Sequence, residues 1–542
     1  MEKILRNRYI GALLGASIGD ALGWPNEQNS NNIGRYKEIN GNFLEWKRRS
    51  GGRYWPYEEK IKAGEYSDDT QLLIATLRSL IKKEKWSSNY RQVELPAWLV
   101  YERGGGGATK RAATCWAKGF SPWDDKKNTP QQIERYFTAG GNGVAMRIMP
   151  HVFGDNHEIE AIMKQVLLNG MYTHGHPRAL VGALLYAYGL QFLFSLNQTL
   201  EYGQLIDFLL INRDKWGHLP QINNLESWVS CAKLYAKMDY VIEWGNVVEE
   251  TVQYLNIAKE NLNLGILDIG DETLAKLGCF DKKINGAGNI TSVISIYLFS
   301  KYASDPQKGI LEAVNLKNSD TDTIASMMGG LIGAIYGENW IPLEYRVIQD
   351  YDIYEVLVDK LLKDQDNIVT SNNTYRLFNK ELLSNMEIGE SSNVLPFGSI
   401  KLLEKRNEKV YGKDMYATTF ICKASYGQTI FVTKVGKITA NYTTENKDSI
   451  EKKPSSVVKN TLLLGRTGLQ EIRKILKNIH NTDDFIVIID TLWDMVEKEK
   501  KLTKNDIKMI QEGCKDCKVN KKQIDSVYAL LKNSNELSTL GN

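Results

Sequence analysis

The sequence predicts an all-α domain followed by a small α+β C-terminal domain. Three observations carry this reading. From Ile4 to about Gly337, apolar residues recur at three- and four-residue spacing. After Trp340-Ile341-Pro342 that periodicity breaks and the text turns rich in Asn and Asp. From about Phe397 to Tyr442, β-branched and aromatic residues alternate with polar ones, the period of a half-buried strand. At 542 residues the chain exceeds one ordinary core. The expected division is residues 1–342, a connector over 343–395, and a separate domain over 396–542.

The helical spacing is clearest in Ile10–Leu22, Leu72–Leu80, Leu180–Leu196, Ile290–Tyr302 and Ile324–Ile335. Small residues crowd the first and last of these (Gly11, Ala12, Gly15, Ala16, Gly19; Gly329, Gly330, Gly333, Ala334), which lets helices approach closely. Glycine clusters at 104–107, 140–143 and 286–288 read as loops where backbone can come near a ligand. The polar segment from about 200 to 283, with Trp216, Trp228 and Trp244, reads as a helical insertion or lid. In the C-terminal part, Thr418–Cys422 and Thr429–Thr433 flank Ser425-Tyr426-Gly427, a hairpin signal. Past a Lys-, Asp- and Ser-rich stretch at 443–459, helices are expected at Leu469–Ile479, Ile486–Val496 and Ile524–Leu531.

Composition is that of a soluble globular protein, and a net charge of +3 argues for neither nucleic acid nor membrane as a partner. Six scattered cysteines point to reduced thiols in the cytoplasm. Cys514 and Cys517 form a lone CxxC, read as surface cysteines because a zinc site needs two further ligands. Arg6 and Arg8 fall where a signal peptide needs its apolar core. The run from Ala179 to Leu196 is slightly short for a membrane span and contains Gln191 and two glycines, so a buried helix is expected there.

Two acidic clusters carry the chemistry: Ser67-Asp68-Asp69-Thr70 and Asp320-Thr321-Asp322-Thr323. Each opens a helix-like apolar pattern. Adjacent carboxylates in mid-helix point about 100° apart, but in a first turn both can face a site at the helix end. Ser, Asp and Thr are also the preferred capping residues, so capping is the plainer reading of either cluster alone. Brought together, four carboxylates repel unless hard cations neutralise them, and Mg²⁺ and Mn²⁺ favour such all-oxygen surroundings.

Five segments occur in a recognisable order: Gly19-Asp20-Ala21-Leu22-Gly23 with Glu27 following, Tyr66–Thr70, Gly141–Arg147, Thr173-His174 and Asp320–Ala325. In this the chain resembles the ADP-ribosylglycohydrolases, over about residues 5–337. The resemblance implies a compact all-α domain holding two Mg²⁺ or Mn²⁺ ions, with Ser67, Asp68, Asp69, Asp320, Asp322 and Thr323 as ligands. It implies that Glu27 approaches the site and that Gly141, Asn142, Gly143 and Met146 belong to a loop cradling ADP-ribose. His174 would line the nucleotide pocket, and Gly107 and Thr109 would border the substrate. Asn318-Ser319 stand where relatives carry a glycine pair, and Ser67 stands where many carry Thr.

The activity so implied is hydrolysis of the glycosidic bond between ADP-ribose and an acceptor, with Glu27, Asp69 or Asp322 taking the proton from water. The acceptor stays open between protein, nucleic acid and small molecule. The C-terminal domain offers a surface for a protein partner, and no membrane is expected. Two alternatives stand beside this reading: a two-metal nucleotide phosphoesterase, and a non-catalytic ADP-ribose sensor.

Overall fold

The computed structural model describes residues 2–34, 36–154, 158–265, 270–363 and 376–437. It also describes residues 475–476, 488, 492, 495–496, 502–513 and 520–539. The chain forms two compact units, Met1–Ile438 and Thr439–Asn542.

The first unit is a helical body with a sheet packed on it. Its spine is helix α1 (Glu2–Gly23). A two-stranded antiparallel ribbon follows, β1 (Trp46–Ser50) and β2 (Tyr57–Ile61). Next come α2 (Asp68–Leu80), α3 (Gly107–Ala117), α4 (Pro177–Ser195), α5 (Tyr240–Asn263), α6 (Gly288–Tyr302), α7 (Thr321–Tyr336) and α8 (Ile353–Leu362). Further helices, Ile159–Met171 among them, join these. The described residues between 200 and 283 are mostly helical, and Trp216, Trp228 and Trp244 are buried.

The closest packing joins α1 to α7. A Cβ on Gly15 would stand 2.2 Å from the Gly329 carbonyl oxygen, one on Gly19 2.1 Å from that of Ala325, and one on Gly11 2.1 Å from Gly337. Small residues four apart on α1 therefore meet small residues four apart on α7, and the helices run antiparallel with their backbones touching. Thr321 Oγ1 donates to the Gly23 carbonyl at 2.8 Å and pins the far end. The consequence is positional: the C-terminus of α1 and the N-terminus of α7 share one spot.

Helix α4 is, among the described residues, the one helix long and apolar enough to cross a membrane, and most of it is buried inside the protein. A Cβ on its Gly182 would stand 2.3 Å from the backbone of Gly288, so α4 and α6 also touch main chain to main chain.

Five strands follow α8: β3 (Arg376–Leu377), β4 (Ser391–Leu395), β5 (Gly398–Lys409), β6 (Met415–Ala424) and β7 (Thr429–Lys437), in sequential order across the sheet. The expected hairpin is β6–β7, in register from Met415↔Lys437 to Lys423↔Thr429. The boundary expected at 396 does not separate compact units. Phe397, Ile400, Leu402 and Phe420 join the same apolar core as the helices, and the division falls between 438 and 439.

In the second unit, helices α9 (Lys504–Gly513) and α10 (Lys521–Thr539) bury Ile507, Ile510, Ile524, Val527 and Leu531 in a small core. The expected helix Ile524–Leu531 lies within α10. The 443–459 stretch and Cys514-Cys517 lie outside the described residues, as do most of Leu469–Ile479 and Ile486–Val496.

Candidate functional site

Helix α2 begins with Ser67 in extended conformation, its hydroxyl accepting from the Asp69 N–H at 3.2 Å. The other first-turn donors are met from α1. Asp20 accepts from the Ser67 N–H (3.1 Å), the Thr70 N–H (3.0 Å) and the Thr70 hydroxyl (2.6 Å). Capping is thus done by Ser67 and Asp20, leaving the carboxylates of Asp68 and Asp69 free for other work. Asp69 Oδ2 is buried with no hydrogen-bond partner. Gly104, at φ +100°, leaves room beside Asp68: a Cβ there would stand 3.2 Å from Asp68 Oδ1.

Helix α7 supplies the second cluster. Asp320 stands at its N-cap position but its side chain makes no capping bond. Instead Asp320 Oδ2 accepts from Asn142 Nδ2 at 2.6 Å. Asp322 Oδ1 accepts from the Thr323 N–H at 2.8 Å, and Thr323 is itself buried. Glu27 arrives on a short turn, Trp24–Asn26, that extends α1. Oxygens of Glu27, Asp320 and Asp322 all lie within 4.8 Å of one another.

Burial and mutual repulsion raise the proton affinity of Asp68, Asp69, Asp322 and Glu27. Asp68 is pushed up to about 8, first by burial, then by Glu102 and Asp20, with Lys110 opposing. Asp69 lies well above the carboxylate range through burial and the charges of Asp20, Asp68 and Asp320, while the Thr323 hydroxyl pulls it down. Asp322 is raised by burial, Glu27, Asp320 and Asp69. Glu27 is raised by burial, Asp320 and Asp68. The two clusters, about 250 residues apart in sequence, therefore act on one another through space.

The glycine loop closes one side. Asn142 N–H donates to the Gly286 carbonyl (3.0 Å), and Gly288 N–H to that of Gly140 (2.9 Å). Asn142 is held so that its amide spans Thr291 Oγ1 (3.1 Å) and Asp320. A Cβ on Gly143 would stand 3.1 Å from His174 Cε1 and 3.3 Å from Thr109 Oγ1, so these three residues meet at one place. Gly141 borders the same ring, with His174 Nε2 3.9 Å from its Cβ position. Gly107 opens α3 and backs onto Arg111, whereas Met146 is buried in the core one turn beyond Asn142.

His174 is buried and its proton affinity falls to about 3, through burial and then the charges of Arg147 and Arg111. Its Nδ1 lies 2.7 Å from Thr173 Oγ1, which also accepts from Arg147 at 2.8 Å.

Asp20 is the residue that the list of expected ligands lacks. A carboxylate in a helix apolar on every side must be buried and paired, and that was its signal in the sequence.

The family model described as ADP-ribosylglycohydrolase matches residues 1–368. ADP-ribosylhydrolase ARH3 of Xenopus tropicalis is 24% identical over 372 residues, spanning 63% of this chain and 90% of the relative. The protein of the same name from Gallus gallus is 25% identical over 356 residues, spanning 62% and 87%. A solved structure named "ADP-ribosylglycohydrolase-related protein complex" aligns with TM-score 0.43 and 21% identity, over 67% of this chain and 99% of that one.

Proposed function

Because the chain belongs to the ADP-ribosylglycohydrolase family, we propose that it hydrolyses the glycosidic bond between ADP-ribose and an acceptor, using two divalent cations, Mg²⁺ or Mn²⁺. One observation carries the reading: Glu27, Asp320 and Asp322 converge within 4.8 Å beside Asp69, whose buried Oδ2 has no partner. Such a group of oxygens fits a hard cation and is costly without one.

Ser67, Asp68, Asp69, Asp320, Asp322 and Thr323 would hold the ions. When bound, they supply Lewis-acid stabilisation of charge at the reacting ribose and orient its hydroxyls. The remaining work falls to the chain itself. One carboxylate among Asp69, Asp322 and Glu27 takes a proton from water as its oxygen bonds to C1″ of the ribose. The C1″–acceptor bond breaks, and the acceptor leaves with a proton. A carboxylate whose proton affinity is raised by burial suits that exchange near neutral pH. Asn142, fixed against Asp320, orients the second cluster. Gly141, Gly143 and Thr109, with neutral His174, form one wall of the nucleotide side. The reading places the protein in the cytoplasm, on its six scattered cysteines.

The test is Asp322→Ala. It should abolish metal-dependent release of ADP-ribose while the circular-dichroism spectrum and melting profile keep a folded protein. Full activity in that variant contradicts the assignment.

A further inference from the structure

Two contacts tie the β6–β7 hairpin to the two ends of the segment carrying the first acidic cluster. At one end stands Tyr66, immediately before Ser67. Its hydroxyl donates to Asp350 Oδ2 at 2.9 Å. The Asp350 side chain is wholly shielded from solvent. It also accepts from the Thr429 N–H and hydroxyl, each at 2.7 Å, and from Lys423 Nζ at 3.1 Å. Thr429 opens β7 and Lys423 closes the register of β6.

At the other end, the last turn of α2, stands Arg78, with 1% of its side chain exposed. It grips Glu94 through two nitrogens, at 3.0 and 2.5 Å. It also donates to the Tyr426 hydroxyl at 2.8 Å and to Gln428 Oε1, both in the hairpin turn. Phe397 lies 5.0 Å below its guanidinium. A guanidinium buried to this degree is tolerated only where its donors are met, and the hairpin turn meets those of Nη1 while Tyr101 takes a further one from Nη2 at 3.3 Å.

The hairpin lies beyond residue 368, where the family match ends. It nonetheless holds both ends of α2, the helix that presents Ser67, Asp68 and Asp69. We infer that the β6–β7 hairpin is a positioning element for the first acidic cluster. The Tyr66–Asp350–Thr429 and Arg78–Gln428 contacts fix where α2 stands relative to Asp320 and Asp322. This rests on the metal reading above.

The test uses the full chain, stripped with EDTA, with Mn²⁺ as the probe and free Mn²⁺ followed by electron paramagnetic resonance. Tyr66→Phe and Gln428→Ala should each weaken Mn²⁺ binding about tenfold, as loss of an outer support does in metal sites. Melting of the stripped protein should move by only a few degrees. Gln428→Glu, which keeps an acceptor for Arg78, should recover most of the affinity. Wild-type Mn²⁺ affinity in both Tyr66→Phe and Gln428→Ala overturns the inference, as does lost stability with unchanged affinity. Should Tyr66→Phe fail to fold, the Gln428 pair decides. A wild-type protein that binds no Mn²⁺ sinks the metal reading itself, and this inference with it.

Discussion

The Thr70 hydroxyl lies 2.6 Å from Asp20 Oδ2, so the helix carrying the first acidic cluster is capped by a carboxylate from the N-terminal helix. That bond joins two tasks. It satisfies the first turn of α2, and it sets Asp68 and Asp69 at the point where α1 ends against α7. Asp20→Ala would leave the Ser67 and Thr70 N–H groups and the Thr70 hydroxyl buried without a partner. A loss of about 1–3 kcal/mol is expected in urea unfolding of the EDTA-treated protein, together with weaker Mn²⁺ binding.

Gly329→Ala touches no acidic residue. Its Cβ would stand 2.0 Å from the Gly15 carbonyl oxygen, a contact relieved only by moving α1 and α7 apart. Overpacking of this kind costs about 1–3 kcal/mol. Activity should fall with it, because the helix ends at Gly23 and Thr321 hold Glu27 near Asp322. Differential scanning calorimetry and turnover of the same preparation check both halves.

The pH dependence of stability has a definite sign. Asp68 lies up at about 8, and Asp69, Asp322 and Glu27 also lie well above the carboxylate range. An unfolded Asp titrates near 4. Between those values the folded, metal-free protein holds more protons than the unfolded chain, so it loses stability as pH rises from about 4 to about 8. His174, lowered to about 3, contributes the opposite slope between about 3 and 6.5, but equally with and without metal. The melting temperature in EDTA minus that in Mg²⁺ should therefore grow more negative across this range.

Asn142→Asp tests the second cluster. The new carboxylate would stand where an amide now donates to Asp320 at 2.6 Å. Without cations the repulsion should lower the melting temperature. Turnover should drop about 10–100-fold, the effect usual for a displaced outer support. Asn142→Ala, which loses the bond without adding charge, should show the drop in turnover with a smaller drop in melting temperature.

Helices with strong spacing were legible in the sequence because their burial is one-sided or complete. Ile10–Leu22, Leu72–Leu80 and Ile324–Ile335 fall inside α1, α2 and α7. The small residues of α1 and α7 foretold close approach, and the structure realises it backbone to backbone. The β1–β2 ribbon went unread, since Trp46-Lys47-Arg48-Arg49-Ser50 and Tyr57-Glu58-Glu59-Lys60-Ile61 are mostly charged. It is anchored at its paired ends by Trp46 and Ile61, buried against Trp24, and other positions carry exposed charge pairs such as Lys47 with Glu58, so too few apolar residues remain for hydrophobic period to report a strand. The sheet's place in the helical body was hidden for a similar reason. It is joined there partly by a buried polar network around Arg78 and Asp350, whose partners lie 348 and 79 residues away in Tyr426 and Thr429.

The site was legible as two clusters, but not its supports. Ser67 and Asp68 announce themselves by type and position. Asp20 betrays itself only as a carboxylate that must be buried and paired, without its partner, while Gly104 and Asp350 gain meaning only once the chain folds them against those residues.

The most direct measurement is release of free ADP-ribose from a panel of ADP-ribosylated substrates, followed by mass spectrometry in Mg²⁺, in Mn²⁺ and in EDTA. Metal-dependent release of intact ADP-ribose from one acceptor, abolished by EDTA, is the predicted result. AMP or phosphate as product, or tight ADP-ribose binding with no release from any substrate, would contradict the account.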